Sequence, residues 1–447
     1  MASKGRSETR TGGRAATTGV ILGDYALSVG MPSSPLPDGW HWTRLTDVAR
    51  LETGHTPSRK HPEYWGGDVP WIGTKDATAN HGSTLFRTNQ YTNDLGIANS
   101  SARVLPVNTV CLSRTASVGY VVVMGRPMAT SQDFVNWVCS EDLDFRYLKY
   151  VLLAERESFL RFASGTTHQT IYFPEVKAFH AALPPIREQE RIADTLSALD
   201  DRIDLLRQSN ATLEDMAQAL FKSWFVDFVP VRAKAEGREP DGMDAATAAL
   251  FPSEFEDSQL GLIPKGWRVG TLLDLLELQR GFDLPATQRV PGAYPIIAAS
   301  GPAGTHAEAK VQGPGIVTGR SGVLGKVFLE LEDFWPLNTT LWIKNYSACG
   351  PSYAYELLRR IDFQQFNAGS AVPTLNRNHV HGLPQLLPPQ EAIQAFELIA
   401  LSMHRRVHAN SVQVQLLSEI RDTLLPRLIS GRLRLPKVEE SIEEAVA

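Results

Sequence analysis

Cysteine is scarce in this chain. Cys111, Cys139 and Cys349 stand far apart, and no two form a CxxC pair. Thiols so scattered exclude a disulfide framework and a cysteine-built zinc site, and they fit a reducing, cytoplasmic setting. No stretch of the 447 residues has the apolar length of a membrane span, so no membrane partner is expected. The first residues place Lys4, Arg6, Arg10 and Arg14 among Ser, Thr and Gly, without the apolar centre of a secretion signal. A surplus of positive charge is missing too. The formal net charge is −5, but residues 227–262 hold eight acids against three bases, and residues 437–447 hold four acids against one lysine. The rest of the chain is therefore weakly basic, at +3. Charge alone does not argue for a nucleic-acid partner. With 43% hydrophobic residues the body of the chain should fold, and its length suffices for two or three cores.

Catalytic signatures are equally scarce. The Pro184-Pro185 and Pro388-Pro389 pairs follow leucine and lead into helices, so they punctuate helix starts rather than form an amine-gripping loop. Gly319 to Val327 resembles a phosphate loop, but Arg320 stands where its first glycine belongs and Val327 where its Ser or Thr belongs. His55, His61, His81, His168, His306, His379 and His381 show no HExxH or paired metal-ligand spacing. No catalytic residue, cofactor site or metal site is expected in this chain.

What the chain does contain, it contains twice. Leu36-Pro37-Asp38-Gly39-Trp40, followed by Leu45 and Asp47, returns as Ile263-Pro264-Lys265-Gly266-Trp267 with Leu272 and Asp274. Leu183-Pro184-Pro185 returns as Leu387-Pro388-Pro389. Between them Arg114 to Gly119 matches Arg320 to Gly325, and Thr170 matches Thr374. A repeat this long means two whole modules in tandem rather than a solenoid. The expected layout is a basic arm at 1–35, a first module at 36–185, a long helix at 186–228 and a connector at 229–262. A second module at 263–387, a second long helix at 388–432 and an acidic tail at 433–447 follow. Both modules are rich in short β-type runs divided by turn residues. In each, an arginine stands where a strand gives way to a Gly-containing turn.

The two helices are heptad-like. Leu196, Leu199, Ile203, Leu206, Asn210, Leu213, Ala217, Leu220 and Trp224 alternate spacings of three and four. The second copy offers Met403, Val407, Val414 and Leu417, with Asn410 and Arg421 as polar exceptions. Such helices pack economically on each other, and Asn210 occupies an a-type position where a buried amide fixes register. The alternative is two independent amphipathic helices, each on its own module. The fold class is α+β.

Side chains suited to base edges recur in both modules. The first offers Trp71, Lys75, Asn80, His81, Ser113, Arg114, Thr115, Ser131, Gln132, Gln169 and Tyr172. The second offers Arg280, Ser300, Arg320, Ser321, Asn338, Thr339, Asn376 and Arg377. Arginine can fork onto guanine, and Asn or Gln onto adenine. Each residue alone suits a turn or a cap equally well; recurrence at matching turns singles out Arg114 and Arg320.

These stretches carry a resemblance. Leu51-Glu-Thr-Gly-His-Thr-Pro-Ser58, Tyr64-Trp-Gly-Gly-Asp-Val-Pro-Trp71, Leu220-Phe-Lys-Ser-Trp-Phe-Val-Asp-Phe228, Gly242-Met-Asp-Ala and Leu424-Leu-Pro-Arg-Leu-Ile-Ser-Gly431 stand in an order that resembles the specificity subunit of type I restriction–modification enzymes. The resemblance runs from about Leu36 to Leu435. It implies two target-recognition domains and a pair of antiparallel helices forming a coiled coil. Each domain would read half of a split site in double-stranded DNA, and the helices would set the gap. It also implies two modification (methyltransferase) subunits as partners, with S-adenosylmethionine, and restriction subunits with ATP and Mg. A fused or stand-alone methylation system would use the same scaffold. A purely structural helical adaptor is the remaining alternative.

Overall fold

The computed structural model describes residues 19–164, 169–366 and 374–435. The chain divides into two compact units, one running to Ile203 and resuming at Leu416, the other spanning Asp204–Gln415.

The first unit is built on the expected module. Its five-stranded sheet has the order Ala49–Thr53, Phe134–Cys139, Val110–Ser113, Val121–Met124, Thr84–Leu85. Val110, Leu112, Val121, Val135 and Trp137 point from it into the main core, where they meet the helix Phe145–Ala154 and Phe159, Phe162 and Phe179. A three-stranded sheet, Ala129–Thr130, Trp65–Ile72 and Gln90–Thr92, carries the outer loops. The second unit repeats the first four strands in the same order, as Leu276–Arg280, Thr340–Tyr346, Gly315–Gly319 and Val327–Glu330. The duplication read from the sequence is therefore a duplication of topology.

The repeated Pro-x-Gly-Trp segments explain their own composition. In both, the tryptophan N–H closes a tight turn on the proline carbonyl, Trp40 on Pro37 at 3.0 Å and Trp267 on Pro264 at 3.1 Å. Gly39 and Gly266 hold φ of 81° and 82°, a region that a Cβ disfavours. Each turn thereby drops its indole into the core of its own unit.

A four-stranded antiparallel sheet corrects the expectation for residues 1–35. Residues 1–18 lie outside the described residues, but Ile21–Leu22 pairs with Leu27–Val29, which pairs with Phe179–Leu183, itself paired with His41–Arg44. Ala26, Leu27 and Val29 are buried, so this stretch belongs to the first unit rather than to an arm. Glu155 holds it there. One carboxylate oxygen of Glu155 accepts from the backbone N–H groups of Tyr25, Ala26 and Leu27 at 2.8, 2.6 and 3.2 Å, and the other accepts from Asp24 at 2.7 Å. A fully buried carboxylate requires such a set of donors.

The two long helices are Ile186–Phe225 and Gln390–Ile429, each of 40 residues. The connector at 229–262 holds the short helices Val229–Ala235 and Ala245–Ala248. In the first unit the beginning of the central helix packs against the end of the C-terminal one. Ile192, Ala193 and Leu196 share the main core with Leu428, Ile429 and Leu435. Leu433 and Leu435 pack there as well, so the part of the expected 433–447 tail that is described belongs to the fold. The rest of that tail lies outside the described residues.

Asp200 binds Arg421 at 2.9 Å and the Tyr150 hydroxyl at 2.7 Å, with Lys149 at 3.5 Å. Arg421, a polar exception in the heptads, is thus compensated by an acid on the facing helix. In the second unit the opposite ends meet, and Phe221, Trp224 and Phe225 stack edge to face with Phe396. These contacts pair the helices antiparallel. Leu196, Ile203 and Leu206 are buried and Leu199, Leu213, Met403, Val407, Val414 and Leu417 half-buried, the gradation expected of a narrow two-helix seam.

Candidate nucleic-acid interface

The matched arginines occupy equivalent places. In the first unit the Arg114 N–H donates to the Asp133 carbonyl at 2.7 Å, and the Arg114 carbonyl accepts from Ile171 at 2.9 Å. In the second, the Arg320 N–H donates to Thr339 at 2.8 Å and its carbonyl accepts from Leu375 at 2.8 Å. Each guanidinium then reaches a neighbouring loop carbonyl, Arg114 that of Gln132 at 3.1 Å and Arg320 that of Asn338 at 3.4 Å. Thr115 and Thr170 form an isolated bridge, as do Ser321 and Thr374. One arginine in each module therefore ties a hairpin turn to two loops.

Arg114 is the more enclosed of the matched pair in its chemistry. Its guanidinium lies 4.8 Å over the Phe173 ring, and its Nε is buried without a hydrogen-bond partner. Burial lowers its pKa, although an arginine remains charged. Gln132, Gln169 and Tyr172 surround this point as exposed side chains; Gln169 accepts from the Ala116 N–H through its carbonyl. The Gln132 amide oxygen accepts from the Thr56 hydroxyl.

Several proposed readers are interior and cannot meet a base edge where they stand. Ser113 is fully buried, donating to the Ser117 carbonyl and accepting from the Tyr120 N–H at 2.9 Å. Ser131 is buried and holds the Asp133 N–H at 3.2 Å. Trp71 is buried and donates to the His55 carbonyl at 3.1 Å. These residues support the surface. The signal misread was polarity: a small hydroxyl beside a turn serves the turn's own backbone first. His81 is likewise committed. Its Nδ1 accepts from the Val121 N–H at 3.1 Å, and burial, with Arg156 nearby, pushes its pKa down to about 4, so it is neutral at pH 7. Asn80 is exposed but caps its helix by donating to the Asp76 carbonyl at 2.8 Å; Lys75 is exposed on the same helix.

In the second unit the structure gathers more of the expected set. Arg280, at the end of its strand, lies 3.8 Å from Asp283, which also accepts from the Asn338 amide. Thr339 accepts from the Ala299 N–H at 3.4 Å, and the adjoining Ser300 gives its carbonyl to Lys326 at 3.4 Å. Asn376 caps the short helix that begins at Arg377; both are exposed, two and three positions beyond Thr374. The Gly319–Lys326 segment is a hairpin turn between antiparallel strands, which removes the phosphate-loop resemblance.

Sequence reading missed Thr56, Arg59 and Gln90 in the first unit, and Asp283 and Lys326 in the second. Arg59 is exposed with its guanidinium 3.8 Å over the Trp65 ring, and donates to Gln90 at 2.7 Å. The available signal was the polar run Gly54 to Lys60, placed between two strands and just ahead of Trp65 and Trp71. Among the described residues, no three His, Cys, Asp or Glu side chains gather as a metal site, and no helix is long and apolar enough to cross a membrane.

Residues 37–215 match the family model described as the type I restriction modification DNA specificity domain. The chain is 24% identical over 434 residues to the MjaIX type I restriction enzyme specificity subunit of Methanocaldococcus jannaschii, covering 90% of this chain and 95% of that protein. It is 26% identical over 392 residues to the HindI specificity subunit of Haemophilus influenzae, covering 69% of this chain and 84% of the relative. A solved structure described as the type I restriction–modification system S subunit from M. genitalium superposes with a TM-score of 0.61 at 17% identity, covering 89% of this chain and 98% of the other. That likeness is one of fold.

Proposed function

We propose that the chain is a DNA specificity subunit of a type I restriction–modification system, and that each of its two units reads one half of a bipartite site in double-stranded DNA; the matched specificity domain over residues 37–215 and the two similar specificity subunits support this. The observation that carries this reading is the repeated arginine-centred turn. The same backbone scaffold appears twice, bordered by different side chains: Thr56, Gln132, Gln169 and Tyr172 in one unit, Asp283, Asn338, Ser300 and Lys326 in the other. One frame with two sets of donors and acceptors suits the reading of two unlike sequences. The paired helices set the gap between the half-sites.

Recognition is this subunit's contribution, and chemistry comes from its partners. These are two modification subunits, which bring S-adenosylmethionine and methylate adenine, and restriction subunits, which bring ATP and Mg. The assembly works in the cytoplasm. The weak charge of the chain fits a subunit whose partners supply much of the phosphate contact. The test is to map methylated adenines in cells carrying the partner genes, with and without this chain. A split motif that appears only when the chain is present is the expected result. Methylation that persists unchanged without it, or that shows no motif with it, overturns the reading.

A further inference from the structure

We infer that Arg59 is the side chain with which the first unit reads a guanine of its half-site, from a corner built by Trp65 and Trp71. The inference rests on the DNA-recognition reading above and assigns a residue within it. Trp65 and Trp71 lie edge to face, 5.2 Å between ring centroids and 85° between planes. The Arg59 guanidinium carbon sits 3.8 Å from the Trp65 centroid and 5.1 Å from that of Trp71. Trp71 is fixed from behind, its indole N–H on the His55 carbonyl at 3.1 Å and its backbone N–H on Thr88 Oγ1 at 3.2 Å. From the neighbouring strand Gln90, which pairs with Trp71 in the sheet, accepts from Arg59 Nη2 at 2.7 Å.

The consequence is an exposed arginine that is already ordered. A free arginine loses much rotameric freedom on binding; one held against an indole face and tied at Nη2 has lost it beforehand. Of the five N–H donors of a guanidinium, Gln90 takes one, and the remainder include a two-donor edge matched to O6 and N7 of guanine. Arg114, which also gives one terminal nitrogen to a neighbour, the Gln132 carbonyl, differs in that its Nε is buried and cannot join a side-on fork. The two sites adjoin: Thr56, in the same loop as Arg59, donates to the Gln132 side chain. A phosphate needs only a point charge, and the neighbouring exposed Lys60 provides one without a braced fork. In the second unit the cation over a tryptophan is Lys310, 4.8 Å from the Trp335 ring, which has no fork to offer.

The test uses the complete complex with its partner subunits and the variants Arg59→Ala and Arg59→Lys. Methylation mapping should show one guanine position in one half-site become degenerate in both variants, with the other half-site unchanged. Binding to oligonucleotides should lose roughly tenfold to a hundredfold in discrimination at that position. Replacing that guanine by 7-deazaguanine, which lacks N7, should weaken the wild-type complex and leave Arg59→Ala unaffected. An unchanged motif overturns the assignment. So does an equal weakening on specific and non-specific DNA with the salt dependence reduced by about one ion, the signature of a phosphate contact. A wild-type complex that methylates without sequence preference fails the underlying reading before Arg59 is examined.

Discussion

The side-chain amide of Asn410 donates to Oδ1 of Asn210 at 2.8 Å, joining the two long helices through a pair of identical residues. Asn210 in turn donates to Ser411 Oγ at 3.1 Å. Asn410 is 2% exposed, so its amide depends on this partner. The pair marks a single register, because sliding either helix by one turn would leave both amides against apolar neighbours.

Asn210→Leu should therefore destabilise the second unit by about 1–3 kcal/mol, since Asn410 would keep a buried donor without an acceptor. The double change Asn210→Leu with Asn410→Leu should recover that loss and exceed wild-type stability while loosening register. A double-mutant cycle in urea checks this. Equal and additive losses from the two single changes would show that the amides do not depend on each other.

The Arg114 and Arg320 guanidinium groups brace loop carbonyls in the same way, so their removal should have parallel effects. Arg114→Ala and Arg320→Ala should each lower stability by about 1 kcal/mol, a discounted value for a half-exposed charged bond. Each should blur only its own half-site. Melting of the purified chain and methylation mapping measure the two effects. Stability unchanged with one base position relaxed would mean that these arginines touch bases directly.

Much of this architecture was legible because duplication and heptad spacing are properties of the chain itself. Gly39, Trp40 and their copies announce a repeated turn, and the three-four spacing from Leu196 to Leu213 announces a helix seam. The proposed recognition surface was less legible. Ser113 and Ser131 have the chemistry of base readers, yet their hydroxyls are consumed by local backbone. Arg59 carries no repeat partner, and its setting exists only because the strand Trp65–Ile72 brings two indoles together beside Gln90. The strand Leu27–Val29 was hidden because its anchor, Glu155, lies more than a hundred residues away.

Glu330 should make the second unit sensitive to pH. Burial, and then the nearby Glu332, raise its pKa from 4.5 to about 7. The folded state thus keeps a proton that the unfolded chain releases. Its favourable contribution is complete below about pH 4.5 and lost as pH rises through about 7, a difference of about 3 kcal/mol. Glu330→Gln should be more stable than wild type above pH 7, with the difference vanishing below pH 4.5. His404, pushed by burial and by Arg359 down to about 4, acts oppositely, its contribution being lost as pH falls from 6.5 towards 4. Comparing Glu330→Gln with wild type across pH isolates the carboxyl. A constant difference would show that Glu330 titrates normally.

A matched extension of both helices tests the gap-setting role. Insertion ahead of Ile192 would tear out Gln189, which is buried and donates to the Pro184 carbonyl at 2.9 Å and the Asp142 carbonyl at 3.1 Å. One heptad placed after Arg207 and one after Val412 instead falls where each helix faces chiefly the other. Seven residues add about 10 Å of helix, or about three base-pair steps along DNA. Methylation mapping should return both half-sites intact around a gap lengthened by about that amount. An unchanged gap, or altered half-sites, would remove the helices from that role.

The end of the chain completes its beginning. Leu428, Ile429 and Leu435 sit in the core that holds Leu27, Trp40 and Tyr147, and Arg434 donates to the Asp38 carbonyl at 2.8 Å. During synthesis the first unit therefore emerges early and waits, its core open, until the last helix arrives. The second unit, Asp204–Gln415, is a single uninterrupted segment and can close before that. A message cut short near residue 415 would yield a finished second unit attached to an unfinished first. Such a product would leave uncovered the apolar face that Leu428, Ile429 and Leu435 otherwise close.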